Sequence, residues 1–219
     1  MTAFKNCFCV TVADSSYSIR PWLSSVNQWD NVAHIARMRG NRKVYRKVSI
    51  QVSRKGRPRI YGEEISLTAP PPPDEEKLRK ITPSGGKTKW TLMQRWNDVI
   101  VRGKQGEEMF RHCFDIVKIS ITDENGSPIY KRPLWLMIAG KNRKKISNNQ
   151  AYDSYGRRYD IEHFFRFGKQ RLGLSSFQTC ETLHEENWQW IGLLAYNMLY
   201  HARNPQSIHG KEGKLSESL

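Results

Sequence analysis

A mixed α/β fold is expected of this 219-residue chain, on the strength of two hydrophobic patterns and their order along the sequence. Short apolar runs rich in β-branched residues, such as residues 7–12 and 114–122, have the composition of buried strands. Residues 155–172 and 183–202 instead repeat apolar side chains at three- and four-residue steps, the period of an amphipathic helix. The chain is long enough to bury one sizeable core.

Taken in order, residues 4–13 read as a strand running into Asp14-Ser-Ser-Tyr17, and roughly 18–28 as a helix carrying Trp22, Leu23 and Val26. Strands are expected near 31–38 and 43–52. Prolines at 70–73 interrupt the pattern because proline has no amide to give a ladder or a helix. Residues 74–87 are charged and contain glycine, so 70–87 is expected to be a mobile connector. Strand-like runs return at 89–102, 109–121 and 128–139. A helix follows over 183–202: Thr182 and Glu185 have the spacing of a capping box, and Trp188, Ile191, Ala195, Met198 and Ala202 form a packing stripe. Residues 204–219 are polar and read as a flexible tail.

The charge balance narrows the partners. Lys and Arg number 36 against 21 Asp and Glu, for a formal charge of +15, which favours a polyanion through counterion release. Residues 37–59 concentrate it, with Arg37, Arg39, Arg42, Lys43, Arg46, Lys47, Arg54, Lys55, Arg57 and Arg59 and no acid among them. A solvated basic face gives the same composition. Gly56-Arg57-Pro58 has the form of an arm reaching into a narrow minor groove, and equally that of an ordinary turn. Four cysteines without a Cys-x-x-Cys pair suit a reducing interior, and the six histidines lack metal spacing. The N-terminus lacks the order of a secretory signal, and no apolar run is long enough for a membrane span.

The most informative segment is 151–172. At about 100° per residue, Tyr155, Arg158 and Lys169 all fall within roughly 40° of Glu162, and Arg166 joins the same stripe. One carboxylate flanked by cations suits a metal ion beside a phosphate backbone. Ile161, Phe164, Phe165, Gly168 and Leu172 form a neighbouring apolar stripe, so an amphipathic surface helix is the plain alternative. Gly156 marks a point where the helix proper could begin after Tyr155. Asp14 sits just past a strand, where an α/β sheet presents ligands, but Asp-Ser-Ser-Tyr is also an ordinary N-cap or turn.

Tyr155, Arg158, Glu162 and Lys169 match at every gap the YREK signature, and on those residues the chain resembles the insertion-sequence DDE transposases. Residues 158–172 are also similar to the wording of bacterial members. Family members place their second catalytic aspartate after a strand and before a small residue and an aromatic, and Asp14 with Ser16 and Tyr17 is similar. The resemblance therefore implies Asp14 and Glu162 as catalytic ligands of Mg2+ (or Mn2+). It implies Tyr155, Arg158, Arg166 and Lys169 as DNA contacts, to which the basic run adds Arg57.

The family carries a further acidic residue on an upstream strand, whereas the residues before Asp14 include neither Asp nor Glu. The expectation is thus a partial RNase H-like core, made of the second-Asp strand, a last core strand at 128–139 beside it, the signature helix and the C-terminal helix, with a β-rich insertion. Residues 1–39 and 126–203 would be the two parts of that core and 40–125 the basic insertion. The implied function is DNA transposition by a chain that is N-terminally truncated and inactive alone. A non-catalytic basic DNA-binding remnant and an RNA-binding protein are the alternatives. Expected partners are double-stranded DNA at mobile-element ends, a full-length transposase or a separately encoded N-terminal part, and a second copy in a homodimer. The expected location is the bacterial cytoplasm, at the nucleoid.

Overall fold

The computed structural model describes residues 7–48, 60–82, 86–104, 107–176 and 179–203. Two compact units divide the chain, Met1–Gly156 and Arg157–Leu219. The first is built on an eight-stranded sheet. Its strands are β1 (Cys9–Ala13), β2 (Val32–Arg37), β3 (Lys43–Lys47), β4 (Tyr61–Ser66), β5 (Glu75–Ile81), β6 (Lys89–Ile100), β7 (Phe114–Thr122) and β8 (Leu134–Ala139). They lie in the order β1-β2-β8-β7-β6-β3-β4, with β5 also paired to β6.

Only β1 and β2 run parallel, because a 3-10 turn (Ser15–Tyr17) and helix α1 (Arg20–Val26) carry the chain back between them. Pro21 opens α1 where its missing amide costs nothing, and Leu23 and Val26 turn inward. The other pairs are antiparallel. Alternation along β8 divides the core: Trp135, Met137 and Ala139 pack with Leu23, Trp96, Phe114 and Ile116 on one face. Leu136 and Ile138 pack on the other with Ile35, Val117 and Ile119, and with Ala151 and Tyr155 of helix α2 (Asn148–Gly156). Each fully buried side chain of this size contributes about 1.5–3 kcal/mol.

The expected final core strand starts later than its apolar pattern suggested, at Leu134, and it pairs with β2 and β7 rather than with the Asp14 strand. The α1 crossover sets β2 beside β1 and leaves β1 at one end of the sheet. Strands β3 to β7 belong to the same sheet as β1, β2 and β8. Within the expected 70–87 connector, the described residues 70–82 include strand β5. Trp96 Nε1 donates to Pro71 O at 3.0 Å, and β5 pairs with β6 from Glu75↔Arg95 to Ile81↔Lys89. Its charged side chains hold cross-strand partners: Glu76 with Gln94 (2.8 Å), Glu75 with Asn97 (3.0 Å), and Lys80 over the Trp90 ring (5.6 Å). β3 takes the same edge of β6 further along, at Val99 and Ile100.

Between Trp96 and Val99 the β6–β7 register slips, and Asp98 adopts φ +52. The irregularity points its amide at Asp115 Oδ1, 3.0 Å away. Asp115, fully buried on β7, also accepts from Arg95 at 2.5 Å, Arg143 at 3.2 Å and Lys144 at 3.3 Å. Arg95, 3% exposed, reaches on to Ile146 O at 2.7 Å and Asn148 Oδ1 at 3.4 Å. One buried ion pair thus fastens the 3-10 turn Arg143–Lys145 and the start of α2 onto the sheet.

The second unit is a helix pair, α3 (Arg158–Arg171) and α4 (Thr182–Arg203). Gly173, at φ +64, turns the chain after α3, and Leu172 and Leu174 both donate to Gly168 O. Leu174 fills the space that a Cβ would need at Gly168 of α3 and at Gly192 of α4, so two glycines let both helices close on one leucine. Phe164 and Phe167 meet Tyr196 at 4.9 and 5.8 Å, and Trp188 Nε1 donates to Gly173 O at 3.2 Å. The stripe facing α3 is therefore Trp188, Gly192 and Tyr196, while Ile191 and Met198 of the expected stripe are 58% and 66% exposed. The expected capping box is shifted as well: the Glu185 amide bonds Glu181 O at 3.3 Å, so Glu181 and not Thr182 precedes the first turn.

Replacing Arg95 with Met leaves Asp115 with part of its buried charge uncompensated and is expected to cost about 3 kcal/mol, read from urea unfolding. Replacing both members with apolar residues should recover most of that loss. Burial opposes ionisation of Asp98, but hydrogen bonds from Arg143 and Lys144 outweigh it and hold the carboxyl below its ordinary value of 3.8. Its contribution to stability is complete above that unfolded value and is lost as pH falls through the lower folded one. The urea midpoint of Asp98→Asn should accordingly fall less between pH 5 and pH 2.5 than that of the unsubstituted chain.

Candidate active site and nucleic-acid interface

Asp14 lies one residue beyond β1, level with the end of β2, since Ala13 pairs with Ala36. Its Oδ1 accepts from the Ser16 amide at 2.8 Å and so caps the 3-10 turn Ser15–Tyr17. The side chain is nevertheless exposed at the carboxyl end of a parallel strand pair. Beneath this turn is a cluster that the sequence did not signal. Thr11 Oγ1 lies 2.8 Å from His34 Nδ1, the His34 ring stacks on Trp22 at 5.6 Å, and Tyr17 meets Trp22 edge-on at 5.1 Å. Burial pushes the His34 pKa down despite a bond with the Tyr17 backbone, which keeps the ring neutral. It supports the turn that carries Asp14.

The signature residues do not share one helix. Tyr155 belongs to α2, whereas Arg158, Glu162, Arg166 and Lys169 belong to α3, and Gly156 and Arg157 fall between. The break has its cause in Gly156, which ends α2, as the glycine's helix penalty anticipates. Tyr155 is 6% exposed and packs with Ile35, Ile138 and Ala151. On α3, Arg158 donates to Glu162 one turn on, so the carboxylate is balanced by a cation of its own helix. The Arg158 guanidinium also lies over the Tyr159 ring at 4.8 Å. Arg166 and Lys169 are exposed. Asp14 and Glu162 thus sit in different units, each held by a local partner.

The basic run is less uniform than its composition. Arg46 is engaged by both oxygens of Asp74 at 2.5 and 2.9 Å, and Lys43 by Glu64 at 2.8 Å. Arg37 and Lys47 are exposed. Arg57, the expected groove contact, lies outside the described residues. Among the described residues, no group of three or more His, Cys, Asp or Glu is placed to hold a metal ion, and no helix is long and apolar enough to cross a membrane.

A mostly sheet core with few helices, an aspartate past a strand end and a Glu162 helix rich in cations are the setting for a comparison with known families. The family model for the transposase DDE domain matches residues 2–198, and the chain belongs to that family. No curated protein matches it. Membership carries with it a function in DNA transposition and a DNA substrate, and proteins of this family generally depend on a divalent metal. The two candidate carboxylates have the hard oxygen donors such a cation prefers.

Tyr155→Ala should lose about 3 kcal/mol by removing a buried ring. Glu162→Gln, at a half-exposed pair, should change stability by less than about 0.5 kcal/mol. Denaturant titration of the two variants checks that Tyr155 contributes to stability and that Glu162 contributes little.

Proposed function

We propose that this chain is a DNA-binding part of an insertion-sequence DDE transposase with an RNase H-like core, and that taken as it stands it engages double-stranded element ends without cutting them. The observation that carries this reading is the Glu162 helix: its carboxylate is charge-balanced by Arg158, while Arg166 and Lys169 remain exposed beside it. Arg158, Arg166 and Lys169 are the phosphate contacts in this reading, and they fix position without reading sequence. Tyr155 anchors the end of α2 in the core. Asp14 and Glu162 are the carboxylates this chain offers to Mg2+ or Mn2+. Cleavage in this reading uses a further carboxylate on a strand that pairs along β1, which ends the strand order among the described residues and where Val10 is 38% exposed. A full-length transposase, a separately encoded N-terminal part or a second copy of the chain are the sources of such a strand.

The test is a nicking assay on end-bearing duplexes. The chain alone should bind in a salt-sensitive manner and leave the DNA intact at any magnesium concentration. An upstream segment carrying an additional aspartate, supplied in trans, should produce nicking that Glu162→Ala abolishes. Nicking by the chain alone that survives Glu162→Ala would reject the assignment.

A further inference from the structure

Four cations from separate parts of the first unit line one cleft of about 500 Å3: Arg20 at the start of α1, Arg42 and Lys43 at the start of β3, and Arg102 just past β6. The carboxylates nearest to them are engaged. Glu64 takes Lys43 at 2.8 Å and the Tyr45 hydroxyl at 3.2 Å, and Glu107 takes Arg20 at 3.3 Å. Arg102 lies over the rings of Tyr45 and Tyr61, 5.2 and 5.4 Å from their centroids, so its planar fork is oriented by aromatic packing.

Arg42 is the telling residue. It is half-buried and makes no ion pair among the described residues. Burial first, then the neighbouring Arg39 and Arg20, lower its pKa, yet an arginine keeps its charge in a protein. A cation partly removed from water and surrounded by cations costs folding free energy unless an anion completes the arrangement. Lys43 and Arg46 of the same strand each hold a carboxylate from elsewhere in the sheet, Glu64 of β4 and Asp74 just before β5.

We propose that this cleft receives an internucleotide phosphate of duplex DNA, with Arg42 as the donor kept unneutralised for it and Arg102 as the preoriented fork beside it. The cleft belongs to the first unit and the cations of α3 to the second. It rests on the DNA-binding reading above and adds a second contact surface to it. Its four cations are distributed along the sequence from Arg20 to Arg102, so the run at 37–59 pointed to only half of them.

The experiment is fluorescence anisotropy of the full 219-residue chain on a random-sequence duplex across a range of sodium chloride concentrations. Each lost phosphate contact reduces the slope of log K against log salt by about 0.9. Arg42→Gln is expected to lower the slope by about that amount, and Arg42→Gln with Arg102→Gln by about twice as much, with equal weakening on element-end and random duplexes. Without DNA, the Tm of Arg42→Gln should equal or exceed that of the unsubstituted chain, because a repulsion has been removed. An unchanged slope with a lowered Tm would make Arg42 a structural cation and overturn the proposal. So would protection by inorganic phosphate that Arg42→Gln abolishes while the DNA slope stays the same, since the cleft would then be a small-anion site. If the unsubstituted chain shows no salt-dependent DNA binding, the broader reading fails together with this one.

Discussion

The Arg95–Asp115 pair is the interaction on which the arrangement of the first unit depends. Arg95 from the middle of β6 and Asp115 from the start of β7 project onto the α2 face, at 3% and 0% exposure, where an isolated charge would be prohibitively costly. The pair is tolerable because its oxygens and nitrogens are widely engaged, by Arg143, Lys144, the Asp98 amide, Ile146 O and Asn148. What it fixes is the path of the chain after β8. The 3-10 turn must sit where Arg143 and Lys144 reach Asp115, α2 must start where Arg95 reaches Ile146 and Asn148, and Tyr155 then falls into the core. The position of the signature's tyrosine is set from this polar group on the sheet.

That anchoring gives the signature a divided character. Its tyrosine closes one unit, and its arginine, glutamate and lysine open the next. Spacing alone could not distinguish a continuous stripe from two helices in succession, because offsets of three, four and seven residues look the same in either case. Gly156 carried the missing information, as a residue that helix interiors disfavour. The charge balance within α3 was visible too, since Arg158 and Glu162 are four residues apart.

Much of the sheet was legible for a simple reason. β2, β7 and β8 are apolar runs buried on both faces, and such runs have few other fates. Their neighbours were not, because pairing is decided by topology: the α1 crossover put β2, not β8, beside the Asp14 strand. Arg95 and Asp115 interrupt apolar strands and could have been noticed as departures, but nothing in either strand names the other as its partner. The cationic cleft was half legible, since Arg42 and Lys43 stand in a basic run whereas Arg20 and Arg102 are joined to them only by folding.

β5 has no apolar face to hold it down. Its side chains are largely in water, and its attachment rests on the backbone ladder to β6 and on a few ionic links, among them Arg79 to Asp153 of α2 at 2.8 Å. Exposed ion pairs weaken with ionic strength, whereas the ladder does not. This makes β5 a part of the sheet with a low opening free energy, a margin able to detach and re-form while the central strands remain protected from hydrogen exchange.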